Sequence, residues 1–219
     1  LRWDRPVIGV SADKVLFRVS DFVYLSGGFS FNKGPARQVD VRTGLTAAQA
    51  TTALAGVTTA GSDPGNTLAR STDGSMLWNL PVQSLDFGLS HVDVFVGYTD
   101  SLNAAAADGD LTQAELDAAN AIGVFLDNVD LGMVLMRALP VATSPTLTAA
   151  QLKFFALEVD ANNVALLGVP ELWLSANNLQ VRVNQGSYIP AAWPVVPGVG
   201  ASPVVDFKLS FPDNSWDPS

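Results

Sequence analysis

The chain has 219 residues, of which 48% are hydrophobic and 15% are charged, so it can build a core and is not of the disordered class. Its net charge is -9, its pI is near 4.3 and its 12 basic residues are scattered, which argues against nucleic acid or an anionic membrane surface as a partner. No apolar run approaches the roughly 18 residues that membrane insertion as a helix needs. The absence of cysteine removes thiol nucleophiles and zinc–thiolate sites, and it is typical of an exported bacterial protein.

The sequences at the two ends of the chain resemble internal segments of a longer protein. It opens on "LRWDRPVIGV", without an initiator methionine or a signal-peptide pattern, and it closes on "FKLSFPDNSWDPS". We therefore expect this chain to be one part of a larger protein.

Five segments share an apolar alternation that changes phase across a polar step. In chain order they are "VLFRVSDFVYL", "LDFGLSHVDVFV", "VFLDNVDLGMVL", "LEVDANNVAL" and "LWLSANNLQVRV". Because a strand places residues i and i+2 on one face, the odd step across the polar residues would move the apolar set to the other face of a straight strand. Each segment is therefore expected to turn or bend at its polar step.

Two geometries keep all these apolar residues in one core. The polar step is either a tight hairpin turn, which sets Val159 opposite Val164 and Leu174 opposite Leu179, or a bulge at which one long strand bends, as in a β-solenoid. Asn, Asp and Ser suit both geometries, because they tolerate left-handed backbone angles and bond their own backbone.

A Leu-Thr-x-x-Gln/Glu motif occurs three times between the strand segments. The Thr and the Gln or Glu have the capping-box spacing, in which each side chain bonds the backbone N–H of the other residue. The Ala-rich sequence after the motif favours a short helix. We therefore predict helices near 46–55, 112–121 and 148–153.

These patterns predict an all-β fold. We expect an elongated module, either β-solenoid-like or a β-sandwich, of repeated bent-strand or hairpin units with two or three short inserted helices. Residues 1–219 form a single module, with a core at about 7–184 and a Pro- and Gly-rich connector at about 185–203. Residues 204–219 are predicted to start an adjoining strand unit.

The stretch "ADGDLTQAEL" resembles the second half of an EF-hand calcium loop when Gly109 is set at its sixth position. The candidate calcium ligands are then Asp108, Asp110, Thr112 and Glu115, with Asp100 recruited from the preceding turn. Alanines at the first and third positions of the loop cannot coordinate a metal. The alternative is that Glu115 only closes a capping box while the two aspartates favour the helix N-terminus, in which case no cofactor is bound.

No catalytic residue is predicted. The single histidine, His91, lies at a polar step and is expected to be structural, and no G-x-S-x-G motif is present. Tryptophans are candidates for a sugar-stacking platform; they are Trp3, Trp78, Trp173, Trp193 and Trp216. Since Leu172 and Leu174 are assigned to the core, Trp173 is expected to point away from it.

Residues of about 84–184 resemble the repeat modules of very large bacterial extracellular proteins of the giant adhesin or RTX-like sort. The segments that carry the resemblance are "NVDLGMVLM" and "ALLGVPELWLSANNLQVRVN". The resemblance implies an acidic, cysteine-free, β-rich unit that recurs along a chain, a surface or fibre-forming role, and calcium as a rigidifying ion.

We therefore expect a structural repeat module, not an enzyme, of a large secreted or cell-surface bacterial protein. It would pack end to end with neighbouring copies into a fibre, tube or stalk. One alternative is a carbohydrate-binding or adhesion module, which would place two or more tryptophans on one exposed strip. Another is a hydrolase, which would bring carboxylates together in a pocket.

Overall fold

The computed structural model describes residues 8–19, 22–100, 108–144, 147, 152–187 and 203–211. The strands are β1 (Ile8–Val19), β2 (Val23–Lys33), β3 (Arg37–Arg42), β4 (Thr58–Ala60), β5 (Ala69–Ser71), β6 (Met76–Tyr98), β7 (Ile122–Ala138), β8 (Lys153–Leu167), β9 (Ser175–Ser187) and β10 (Val204–Val205). The helices are α1 (Ala47–Ala53), α2 (Gln113–Ala118) and α3 (Phe207–Ser210). The prediction of an all-β fold with short inserted helices is confirmed at this level.

The strands form one sheet with the order β1-β2-β6-β7-β8-β9, in which every neighbouring pair is antiparallel. The central strand β6 has 23 residues and pairs with two strands along the same edge. Its first part pairs with β3 and its second part with β2. Among the described helices, none has the length and hydropathy required to cross a bilayer.

Long strands that bend, and not hairpins, account for four of the five alternating segments. Val159 lies opposite Leu131 and Val181, so the predicted pairing of Val159 with Val164 is wrong. The predicted pairing of Leu174 with Leu179 is also wrong, because strand β9 runs on through both asparagines of "SANNLQVRV". Only the first segment forms a hairpin, since Val19 pairs with Val23 across the β1–β2 turn.

The bends lie beside one another across the sheet and form what we call the bend line. His91, Asn128 and Asn178 on β6, β7 and β9 have φ of 51°, 51° and 54°, in the left-handed region. Strand β1 has its irregularity between Ala12 and Val15, at the same level. A left-handed residue shifts the alternation by one position, so each strand keeps one set of side chains on one face on both sides of the bend.

Carboxylates from neighbouring strands bond the backbone N–H groups of left-handed residues on β6 and β7. His91 N–H donates to Asp130 Oδ1 at 3.0 Å, and Asn128 N–H donates to Asp93 Oδ1 at 3.1 Å. A left-handed residue turns its N–H away from the regular ladder, and a buried N–H without an acceptor costs about 1–3 kcal/mol. The backbone of His91 therefore forms part of the bend line, and the structural role of its side chain stays a prediction.

One face of the sheet, which we call the covered face, carries two of the three clusters of the buried core. Helix α1 and its flanking loops pack on one end of that face, with Leu54, Leu80 and Val134 among the members of the cluster. Helix α2 packs on the other end, over Phe95 and Phe125. The inserted helices therefore cover this face.

Helices α1 and α2 confirm their predicted starts. Thr46 and Thr112 are the N-caps, and each forms the full capping box with Gln49 or Glu115. The third predicted helix, near 148–153, lies almost wholly outside the described residues. The helices end earlier than predicted, at Ala53 and Ala118.

The C-terminal segment turns back onto the sheet. Strand β10 covers only Val204–Val205 and pairs with β3, while α3 follows at once because Asp206 caps it through Leu209 N–H at 3.1 Å. Arg42 Nη2 forms a salt bridge with Asp206 Oδ2 at 2.6 Å. The predicted strand unit over 204–219 is therefore limited to two residues within the described chain, and β9 extends to Ser187, inside the predicted connector.

Candidate functional site

The loop predicted to bind calcium is bound by a lysine. Lys14 Nζ on β1 lies 2.8 Å from Asp110 Oδ1 and donates to the Asp108 carbonyl at 3.3 Å. Ser26 Oγ donates to the Gly109 carbonyl, and Asp110 N–H donates to Asp108 Oδ1 at 3.1 Å. The Asp110 carboxylate raises the pKa of Lys14 above its ordinary value through their hydrogen bond.

The other predicted ligands are held elsewhere. Glu115 Oε2 accepts from Thr112 N–H at 2.9 Å and from Thr112 Oγ1 at 2.6 Å, which is the capping box. Asp100 N–H donates to the Ala119 carbonyl at 3.4 Å. The next described residue is Asp108. Within the described ranges, no group of three or more His, Asp or Glu side chains is arranged to hold a metal ion. In this arrangement the oxygens of Asp110 and of the Asp108 carbonyl bind the ammonium group of Lys14. Calcium binding by the loop stays a prediction.

We expect calcium chelation to leave the thermal unfolding of the protein unchanged. A calcium ion at this loop would have to displace Lys14 from Asp110 and break the Thr112–Glu115 cap. The measurement is a melting curve in excess EDTA and one in millimolar calcium. The Lys14→Gln variant is the matched comparison, because it removes the competing ammonium group. A rise of several degrees with calcium in the native chain would contradict the expectation.

Tryptophans do not form a shared strip within the described chain. Trp78 is buried, at 9% exposure, whereas Trp173 is 83% exposed in the turn between β8 and β9. Trp3, Trp193 and Trp216 lie outside the described residues. Trp173 is exposed, but the assignment of Leu172 and Leu174 to the core is wrong, because both are exposed in the same turn, at 58% and 54%.

The largest unusual surface is the second face of the sheet, which we call the open face. It consists of six side-chain rows that run across β1, β2, β6, β7, β8 and β9. On β6 the rows contain Leu85, Phe87, Leu89, Val92, Val94 and Val96, and on β7 they contain Leu135, Met133, Leu131, Val129, Leu126 and Val124. Along the described strands the one charged residue in these rows is Lys33, at the end of β2.

The open face is buried along its middle row and accessible towards its edges. In that row Val92, Val129 and Ala161 are 2%, 4% and 2% exposed and form a third hydrophobic cluster, against which Leu89, Leu126 and Val159 pack. Towards the edges, Phe17, Val96 and Val181 are 54%, 47% and 40% exposed. Gly27 leaves a depression of about 280 Å³ between β1, β2 and β6 that apolar side chains line. This surface is continuous and apolar.

The footprint of the open face, its buried middle row included, is larger than the apolar patch of a typical monomer. Six strands about 4.8 Å apart and six rows about 6.8 Å apart span on the order of 1,000 Å². The largest apolar patch of a typical monomer is about 300–600 Å², and a standard interface buries about 800 Å² on each partner. The open face is therefore large enough for a stable protein interface.

The alternating segments correctly predict which residues share the open face, but only the middle row of that face belongs to the buried core. Nearly all of their apolar residues do share one face, and among the described residues no helix or loop of this chain covers it. The rest of the buried core uses the intervening positions, such as Val134 and Met136 on β7. The strongest signal in the sequence therefore marks the candidate interface.

Asp93 lies on the covered face and accepts backbone hydrogen bonds from Asn128 on the bend line and from Leu111 near helix α2. Burial raises the pKa of its carboxyl above the ordinary 3.8, against the backbone hydrogen bonds from Asn128 and Leu111, which lower it. Asp127 and Asp110 raise it further through charge repulsion. The carboxyl of Asp93 therefore keeps its proton to a higher pH in the folded protein than in the unfolded chain.

We expect Asp93→Asn to make the free energy of unfolding less dependent on pH. A raised folded pKa contributes stability that is fully present below the unfolded value and is lost as the pH rises through the folded value. The asparagine keeps the Oδ1 acceptor for Asn128 N–H and removes the charge. At pH 7 the free energy of unfolding of the variant should therefore equal or exceed that of the native chain. Urea denaturation from pH 3 to pH 7 measures this.

Asp93→Ala is the control, because it leaves the Asn128 N–H without its acceptor. The alanine variant should lower the free energy of unfolding by about 1–3 kcal/mol at every pH. A steeper pH profile for Asp93→Asn than for the native chain would contradict the assignment.

Comparisons with protein-family models, with curated proteins and with solved structures found no match to this chain.

Proposed function

We propose that the chain is a structural module of a large secreted or cell-surface bacterial protein, in which neighbouring modules of the same protein cover its open face. The observation that carries the proposal is the size and composition of that face. A repeated apolar pattern over six strands, facing away from the core, is what a packing surface requires.

The charge distribution supports neighbouring modules as the partner. The chain carries a net charge of -9, and two such molecules repel each other in general. Among the described residues, the six rows of the open face hold one charged residue, Lys33, and the next row on the same face holds Arg137 and Lys153, so contact through this face avoids the carboxylates. The acidic residues of the long strands lie on the covered face instead, where Asp93 and Asp130 bond the bend line.

The regular spacing of the open face favours another sheet as the covering element. Two sheets pack face to face about 10 Å apart, with side chains of the two inner faces interdigitating. Rows of Val, Leu and Phe at strand spacing offer that surface, and a module of the same kind supplies the matching one. We propose a packing role, without catalysis, on this basis.

The second candidate is an adhesion module, and the exposure of Trp173 favours it. An exposed tryptophan is a platform for stacking against a sugar ring. The role would require a second aromatic residue beside it, and Trp78 is buried. A change in tryptophan fluorescence on addition of glycans, lost in Trp173→Ala, would support this alternative.

The test of the packing role is the sedimentation of the chain over concentrations from about 1 to 100 μM, with electron microscopy of the sample at the upper end. We expect species larger than the 23.0 kDa monomer that grow with concentration. A monomer at every concentration would overturn the proposal.

A further inference from the structure

The two outer strands of the sheet have one side without a partner strand along most of their length. Among the described residues, β1 pairs only with β2 and β9 pairs only with β8. Strand β10 lies against the C-terminal end of β9, where Asn184 Nδ2 donates to the Val205 carbonyl at 2.8 Å. From Ser175 to Arg182 the edge of β9 is exposed.

The sequence of strand β9 is typical of a strand in the interior of a sheet and not of an edge strand. Its sequence "SANNLQVRVNQGS" contains no proline and one charged residue, Arg182, although edge strands are commonly protected by charges or proline. Its apolar residues continue the rows of the open face, and Asn178 continues the bend line. Nothing in β9 itself prevents another strand from pairing with it.

The strand directions allow β1 of a second copy to take this place. The order β1-β2-β6-β7-β8-β9 is antiparallel at each step, so β1 and β9 run in opposite directions. A copy of β1 placed beside β9 therefore extends the sheet with a further antiparallel pair, which is the mode of β-strand addition.

The rows then determine the register. Continuing each row of the open face sets Val10 of one copy opposite Val183 of the other, Val15 opposite Leu179 and Phe17 opposite Ala176. In the same register the β1 irregularity at residues 13–14 and Asn178 lie on the two sides of the Val15–Leu179 pair. Strands β6 and β7 already show this combination, since His91 and Asn128 lie on the two sides of the Val92–Val129 pair.

We infer that β9 of one copy pairs with β1 of the next copy in this register, so that the sheet continues from module to module. The contact joins two different edges, so it leaves a free β1 at one end and a free β9 at the other, and continued addition of copies produces a linear assembly. The inference rests on the proposed structural role and specifies one contact within it. The open face stays available along the assembly for lateral packing.

The test is a disulfide cross-link in the Leu16→Cys/Asn177→Cys double variant. The natural chain has no cysteine, so the two introduced thiols are the only ones. In the inferred register their Cα atoms are about 5.5 Å apart between copies, within the range that a disulfide spans. Inside one copy they lie on opposite edges, about 24 Å apart across the sheet, and cannot meet. Mild oxidation should give a ladder of multimers on a non-reducing gel.

The register control is Leu16→Cys/Arg182→Cys, in which the second thiol lies about 17 Å further along β9. It should give at least tenfold less cross-linked product. The two positions of the test pair lie on the rows of Ser26 and Asp93, on the covered face, so packing of open faces cannot join them. Dimers from Asn177→Cys alone would indicate pairing of β9 with β9 and overturn the inference.

Sedimentation of the same samples separates this inference from the proposed function. Assembly without a ladder overturns the edge pairing and leaves the packing role in place. A monomer without a ladder overturns both, and a ladder that matches the control register overturns the edge pairing alone.

Discussion

Replacing Leu131 with glutamate should abolish association of the chain through its open face. Leu131 lies on β7 near the centre of that face, between Leu89 and Val159 in the same row. A carboxylate buried there between two apolar sheets has no partner, and such burial costs several kcal/mol. We expect the dissociation constant to rise by at least about 100-fold, which corresponds to roughly 2.7 kcal/mol. Sedimentation velocity of the native and variant chains measures it.

The matched control is Ser62→Glu, which adds the same charge in an exposed turn away from the open face. It should leave the association constant within about threefold of the native value, since one remote charge on a chain of net charge -9 is largely screened. Circular dichroism should show the same strand content in all three chains. Equal association of Leu131→Glu and Ser62→Glu would show that contacts are made elsewhere.

Replacing Phe95 with alanine should lower the free energy of unfolding by about 3–5 kcal/mol. Phe95 is fully buried on the covered face, in the cluster that contains Leu111 and Leu116 from the α2 region. The substitution removes the apolar surface that the α2 region packs against and leaves a cavity. Urea denaturation should show a lower midpoint with an unchanged slope.

The adjacent residue Val96 provides the control, because it lies on the same strand and points to the open face, where it is 47% exposed. At concentrations where the chain is monomeric, Val96→Ala should cost less than about 1 kcal/mol. Equal losses for the two variants would contradict the assignment of covered and open faces.

The strands, their bends and the helix starts are predictable because they depend on neighbours in the sequence. A capping box needs only Thr112 and Glu115, three residues apart, and both capping boxes within the described chain are present. The phase change across the polar step predicts that a strand turns or bends there. Asn128 and Asn178 tolerate the left-handed angles that the bend requires.

The choice between hairpin and bend depends on partners far along the chain. In "LEVDANNVAL" the strand continues because β7 and β9 lie on both sides of β8 and pair with it on both sides of the asparagines. The Lys14–Asp110 contact is equally remote in sequence, and it gives the predicted calcium loop a different partner. Local pattern cannot reveal either contact.

The sequence alone determined which residues share a face of the sheet, since alternation and bends follow from side-chain direction along one strand. It did not determine which face is buried. Only the tertiary structure decided that, because α1 and α2 fold onto the side of Val134 and Phe125 through contacts across many strands. The apolar rows of Leu89, Leu131 and Val159 are thereby left on the open face, where a neighbouring module is needed to bury them.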